Sequence, residues 1–247
     1  MQVRAFSQVR RCKSVWAFHS LLQYTFMEKT TKGAGRRHFI KSTAAITTGL
    51  TGLAWFPQMS WANDELPAEG IHIIGPKEGF SPQIGTLVSM MNWMRNTVLH
   101  SVTGLKTEDL DYLHDAKSNT IGAMLLHLAA TEAFYQANTF EGRRDYNEKE
   151  NETWGAAMSL GDEGRKRIKG NNLDYYLAVL KETREKTIAE FKKRDDNWLM
   201  ATDPAFFDNQ PTNNYCKWFH VCEHESNHNG QIKWIKSRLP GAKSGNE

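Results

Sequence analysis

Asn119-Thr-Ile-Gly-Ala-Met-Leu-Leu-His127-Leu-Ala-Ala-Thr-Glu132 is the stretch on which the fold turns. Ile121, Met124, Leu125 and Leu128 recur at steps of three and four, and Tyr135 extends the series. That is the spacing of one face of an α-helix, not the alternation of a half-buried strand. The helix is expected over about 119–139, opening at Ser118 or Asn119, whose side chains can cap the first free amides. His127 sits among these apolar residues, so its imidazole is expected near the interior.

Three more segments carry the same period. Residues 81–101 place Ile84, Leu87, Val88, Met91, Met94 and Val98 on one face, with Ser81 as N-cap and Pro82 in the first turn. Residues 172–196 start at Asn172 and run through Leu173, Tyr176, Leu177, Leu180, Ile188 and Phe191. Residues 213–238 hold Tyr215, Phe219, Ile232 and Ile235 and stop at Pro240-Gly241. The long connection 140–171, with Trp154 and Met158, predicts one short helix, and strand-like alternation is scarce beyond His72–Ile74. The fold class that follows is all-α, a four-helix bundle.

The chain has 247 residues and a formal net charge of +3, but the charge is unevenly spread. Residues 1–62 hold nine Lys or Arg against Glu28 alone, leaving 22 basic and 27 acidic side chains in residues 63–247. The basic balance therefore belongs to the leading segment, and a general basic surface for nucleic acid is excluded for the rest. Within that segment, Gly35-Arg36-Arg37-His-Phe-Ile-Lys-Ser42 precedes a weakly apolar run, Thr43 to Phe56, and then Ser60-Trp61-Ala62. Basic region, apolar region and small-x-Ala site are the three parts of a secretory signal, and Arg36-Arg37 resembles a twin-arginine pair. The apolar run is well short of the ~20 residues a membrane span needs, and no cysteine near the cleavage site offers a lipid anchor. The expected division is an export leader over 1–62, an extended segment over 63–79, the bundle over 80–240 and a tail over 241–247. The mature chain would lie outside the cytoplasm, periplasmic or extracellular, unanchored to membrane, with the twin-arginine machinery as its export partner. Met1 and Met27 both remain possible starts.

One constellation carries chemistry: His220-Val-Cys-Glu-His224-Glu-Ser-Asn-His228-Asn-Gly-Gln231. Steps of four put the three histidines on one stripe that drifts by roughly 80° from first to last. Neighbours four apart can share an ion, but all three on one ion would be strained, so a third ligand is expected from another helix. His127 is the candidate. Three imidazoles leave coordination positions open for water or substrate, as a catalytic rather than a structural metal requires. His224-Glu225-Ser226-Asn227-His228 also spells the zinc-protease pattern H-E-x-x-H. The 19 residues after His228 contain no His or Asp and one acid, Glu247, so the downstream ligand of such enzymes is lacking. Glu225 is the candidate general base, although it lies about 100° round the helix from His224. Cys216 continues the stripe and reads as a buried small residue or, alternatively, a thiolate ligand. Cys216 and Cys222 point apart on one helix and cannot pair. Trp93, Trp218 and Trp234 read as core or interface.

Two pieces, Asn119 to Glu132 and His220-x3-His224-x3-His228-x-Gly230-Gln231-Ile232, resemble the DinB/YfiT-like family of metal-binding four-helix bundles, over about residues 80–240. The resemblance implies that His127, His224 and His228 are the metal triad, that the ion is nickel or zinc with iron also accommodated, and that His220 does not ligate but orients a neighbour. It also implies a possible homodimer and, from the wider superfamily, thiol-dependent transferase or isomerase chemistry. Two classes stay open: a metal-dependent enzyme, hydrolase or thiol transferase acting on a small molecule; and a non-catalytic metal-binding bundle serving as sensor, store or scaffold.

Overall fold

The computed structural model describes residues 70–243; the expected export leader over 1–62, with Arg36 and Arg37, lies outside the described residues. Four long helices make the framework: α1, Pro82–Val102; α3, Ile121–Glu141; α6, Leu173–Phe191; and α8, Asn214–Lys236. Shorter helices lie between them: α2, Thr107–Leu110; α4, Glu148–Ser159; α5, Gly161–Arg167; and α7, Asp196–Met200. The fold is all-α, as the periodicity requires. His72–Ile74 forms no strand; among the described residues the strands are β1, Thr202–Asp203, and β2, Thr212–Asn213, a two-residue antiparallel pair. The 140–171 connection holds two helices where one was expected.

The helix starts show what the chain does with its capping side chains. Asn172 accepts from the Tyr175 amide at 3.0 Å, and Asn213 from the Cys216 amide at 2.8 Å, so α6 and α8 open as expected. Ser81 occupies the N-cap position of α1 but caps nothing. Its hydroxyl donates to Asp196 Oδ1 at 2.6 Å, and the Asp196 carboxylate takes the amides of Gln83 and Ile84, a cap supplied from α7. α3 opens later than expected, at Thr120, whose Oγ1 accepts from the Ala123 amide at 3.1 Å. Asn119 is engaged elsewhere. α6 ends at Phe191, before residue 196, because Asp195 caps α7 by accepting from the Trp198 amide.

α1 packs on α8, and α3 on α4, α6 and α8. One core cluster gathers Val98, Leu125, Leu128, Leu180 and Ile232; another gathers Leu87, Met91, Tyr135, Phe191 and Trp218. Trp218 is fully buried, stacked on Phe140 with centroids 5.3 Å apart, and its Nε1 donates to Thr139 Oγ1. Burial of such a side chain is worth about 1.5–3 kcal/mol in transfer free energy. α3 and α6 approach closely at Gly122, where a Cβ would meet the Tyr176 hydroxyl at 2.6 Å. Phe219 departs from the expected core, and Trp234, expected in the core or at an interface, is at the surface. Phe219 is 52% exposed and Trp234 45%, the latter covered by the Arg238 guanidinium 3.9 Å from its ring centre.

The long helices are also joined by charge. Arg95 of α1, Glu132 of α3, Arg184 of α6 and Glu225 of α8 form one buried quartet. Arg95 reaches Glu132 at 3.0 Å and Glu225 at 2.6 Å; Arg184 reaches Glu132 and Glu225, both at 2.7 Å. Arg95 also donates to the Leu180 carbonyl, and Arg184 to that of Met91. Burial alone would push the Glu132 carboxyl up, but Arg184 and Arg95 outweigh it and hold it below its ordinary range. No helix among the described residues is long and apolar enough to cross a membrane.

Candidate metal centre

His127 stands in the middle of α3, and His224 and His228 one turn apart on α8. Packing of these two helices brings the three rings together, with a possible ligand atom of each within 4.8 Å of the others. His127 Nε2 and His224 Nε2 are 2.8 Å apart. The His228 ring lies 4.9 Å from that of His127 and 4.6 Å from that of His224, centre to centre. The second nitrogen of His127 is tied to α4: Nδ1 lies 2.8 Å from the Ala157 carbonyl oxygen. A carbonyl only accepts, so Nδ1 carries the proton and Nε2 presents a lone pair to the other two rings.

These rings are built to be neutral. Burial drives the His224 pKa down to about 2, helped by repulsion from His127, His228 and His220. His228 falls to about 3 by burial and the proximity of His127. Burial also lowers His127, and its bond to Ala157 restores part of the loss. Neutral imidazole is the form that ligates a metal. His228 Nδ1 is buried with no hydrogen-bond partner, an arrangement that costs about 1–3 kcal/mol in a protein interior. In the metal-free protein the His127 Nε2 lone pair accepts from His224 Nε2, a proton that a bound ion would displace. Three convergent imidazoles fit a divalent transition ion, and nitrogen donors suit nickel, zinc or iron rather than magnesium or calcium.

His220 lies outside the cluster but beside it. Its ring centre is 5.2 Å from that of His224, and its Nδ1 is 2.9 Å from the Tyr135 hydroxyl. Glu225 is not placed to act as a base there: it is 1% exposed, and its Oε1 accepts from Arg95 and Arg184 in the quartet. The H-E-x-x-H protease reading loses its base for the same reason. Cys216 is exposed, neither the buried residue nor the ligand considered above. Cys222 is buried, and burial with Glu225 nearby pushes its thiol up to about 12, so it stays protonated.

Arg95 and Arg184 escaped the sequence reading, and a signal for them was present. Arg95 stands four after Met91 and three before Val98; Arg184 stands four after Leu180 and seven before Phe191. Both interrupt an apolar stripe, where a charge must find a partner.

A helical bundle whose second and last long helices bring three uncharged imidazoles together defines the class, a DinB/YfiT-like fold with a tri-histidine cluster. Within that class, the family model described as mycothiol-S-transferase matches residues 86–241, more than half of the chain, and the chain belongs to this family. No curated protein matches it.

Proposed function

We propose that the chain is a thiol-dependent S-transferase holding one divalent ion through His127, His224 and His228. The observation that carries this reading is the convergence of three neutral imidazoles, one with its tautomer set by a backbone carbonyl, inside the region matched by the mycothiol-S-transferase family. The ion, when bound, supplies a positive charge that lowers the pKa of a thiol toward neutrality. The protein keeps its ligands unprotonated by burial and fixes His127 from α4. It sets the Tyr135–His220 pair against His224, where it can orient that ring. The thiol gives up its proton to solvent, the thiolate sulfur forms a bond to an electrophilic carbon of the second substrate, and the leaving group departs with the electron pair of the bond that breaks.

The test has two parts. Metal analysis of the purified protein should find close to one equivalent of nickel, zinc or iron. Transfer of mycothiol or another low-molecular-weight thiol to an electrophilic aryl halide should require that metal and be lost in His127→Ala. Stoichiometric metal without thiol-dependent turnover would instead identify a non-catalytic bundle.

The same proposal places the mature chain outside the cytoplasm, beginning near Asn63. Its support is the order of Arg36-Arg37, the Thr43–Phe56 run and Ser60-Trp61-Ala62. Changing both arginines to lysine should block export, and N-terminal sequencing of the exported protein should locate the cut. A homodimer is proposed on the family resemblance alone, and solution scattering across a concentration series decides it.

A further inference from the structure

α4 ends in a way that a continuing helix would not. The Leu160 amide still donates to the Ala156 carbonyl at 3.0 Å, the normal bond four residues back. Leu160 then takes φ 51°, ψ −143°, and Gly161 takes φ 57°. A leucine at positive φ is uncommon and strained, by about 1–3 kcal/mol for such regions, and persists only where its surroundings hold it. In an unbroken helix the Gly161 amide would bond to Ala157. It donates instead to Asn119 Oδ1 at 3.1 Å. The Ala157 carbonyl is thereby released from its helical partner, and it accepts from His127 Nδ1 at 2.8 Å, with the Met158 backbone a second, weaker partner of the same ring. Nearby, Arg165 in the last turn of α5 donates to the Ser118 and Lys117 carbonyls, tying that turn to the segment that leads into α3.

We propose that this break is a positioning device: Asn119 diverts the Gly161 amide, so that the Ala157 carbonyl fixes His127 with its proton on Nδ1 and its Nε2 lone pair toward His224 and His228. Asn119 and Leu160 are positioning residues on this account, and neither touches the ion. The use of that lone pair for a metal rests on the function proposed above; the tautomer does not. Asn119 is free for this work because Thr120, not Asn119, caps α3.

The experiment uses the full chain labelled with nitrogen-15 at histidine, first stripped of metal and then titrated with zinc. Metal-free wild type should show His127 protonated at Nδ1. Asn119→Ala should give mixed or reversed protonation of His127 and weaken zinc binding by about 10–100-fold, the usual loss when a ligand-orienting partner is removed. Asn119→Asp keeps an acceptor for the Gly161 amide and should restore both. Thr120→Ala removes the neighbouring cap, so it should lower the melting temperature while leaving tautomer and zinc affinity unchanged. Protonation at Nε2 in the wild type would overturn the proposal, as would an Asn119→Ala variant with wild-type tautomer. If the tautomer shifts as expected but no variant binds zinc, the positioning role stands and the metal reading fails.

Discussion

At the scale of single residues, the histidines are distinguished by which nitrogen is free. Alanine at His127, His224 or His228 removes one of three proposed ligands, and each change should abolish tight metal binding in a competition titration. His220→Ala removes a neighbour bonded to Tyr135, and its loss should not exceed about 10–100-fold. The same residues set a pH dependence. In the metal-free protein the folded pKa values of His224 and His228 lie at about 2 and about 3, and that of His127 is lowered too. The unfolded chain binds protons near pH 6.5, so below that point it holds more protons than the folded chain does. Stability is therefore full above about pH 6.5 and declines as pH falls toward the folded values, by up to about 1.4 kcal/mol per unit for each histidine. Urea unfolding at pH 7.5 and 5 should show that loss, and a His224→Gln/His228→Gln variant should flatten it. The His224–His228 pair was legible because steps of four on one helix are a local signal; His127 stands out by its apolar neighbours, and the family resemblance sets His220 apart from the three. The Ala157 carbonyl and the orphaned His228 nitrogen were not legible, since both depend on what packs against α3 and α8.

Among elements, the quartet is the joint that can be tested most directly. Glu132→Leu leaves Arg95 and Arg184 with one carboxylate between them in a dry interior. Removing one partner of a buried pair in this way costs about 3–5 kcal/mol. Replacing all four residues by Met and Leu of similar volume should recover most of that loss. Chemical denaturation of the single and quadruple variants checks both expectations. Three of the long helices could be read in advance because α1, α3 and α6 keep a three-and-four apolar spacing over several turns; α8 was marked instead by its N-cap Asn213, its histidines at steps of four and the Pro240-Gly241 stop. The connections could not be read in this way. α4 opens with the reciprocal Asn147–Glu150 capping box, but little of it is buried and its apolar spacing is weak. The Asp196 cap of α1 comes from more than a hundred residues away, beyond any local pattern. Phe219 was assigned inward on spacing alone, and the tertiary packing turned it to the surface.

For the molecule as a whole, an ion shared by His127, His224 and His228 would tie α3 to α8 across the bundle. A ligand that binds only the folded state raises stability by mass action, about 2.7 kcal/mol at a hundredfold excess over its dissociation constant. Chelation should therefore lower the melting temperature of the wild type and leave that of His127→Ala unchanged. The quartet gives this coupling a direction in time. Synthesis delivers Arg95, Glu132 and Arg184 first, a partial set with one uncompensated positive charge, and only the arrival of Glu225 on α8 neutralises it. The same last helix brings two of the three imidazoles. On the proposed function, an emerging polypeptide would lack two of the three ligands until α8 arrives, and metal uptake would report that the final helix has docked.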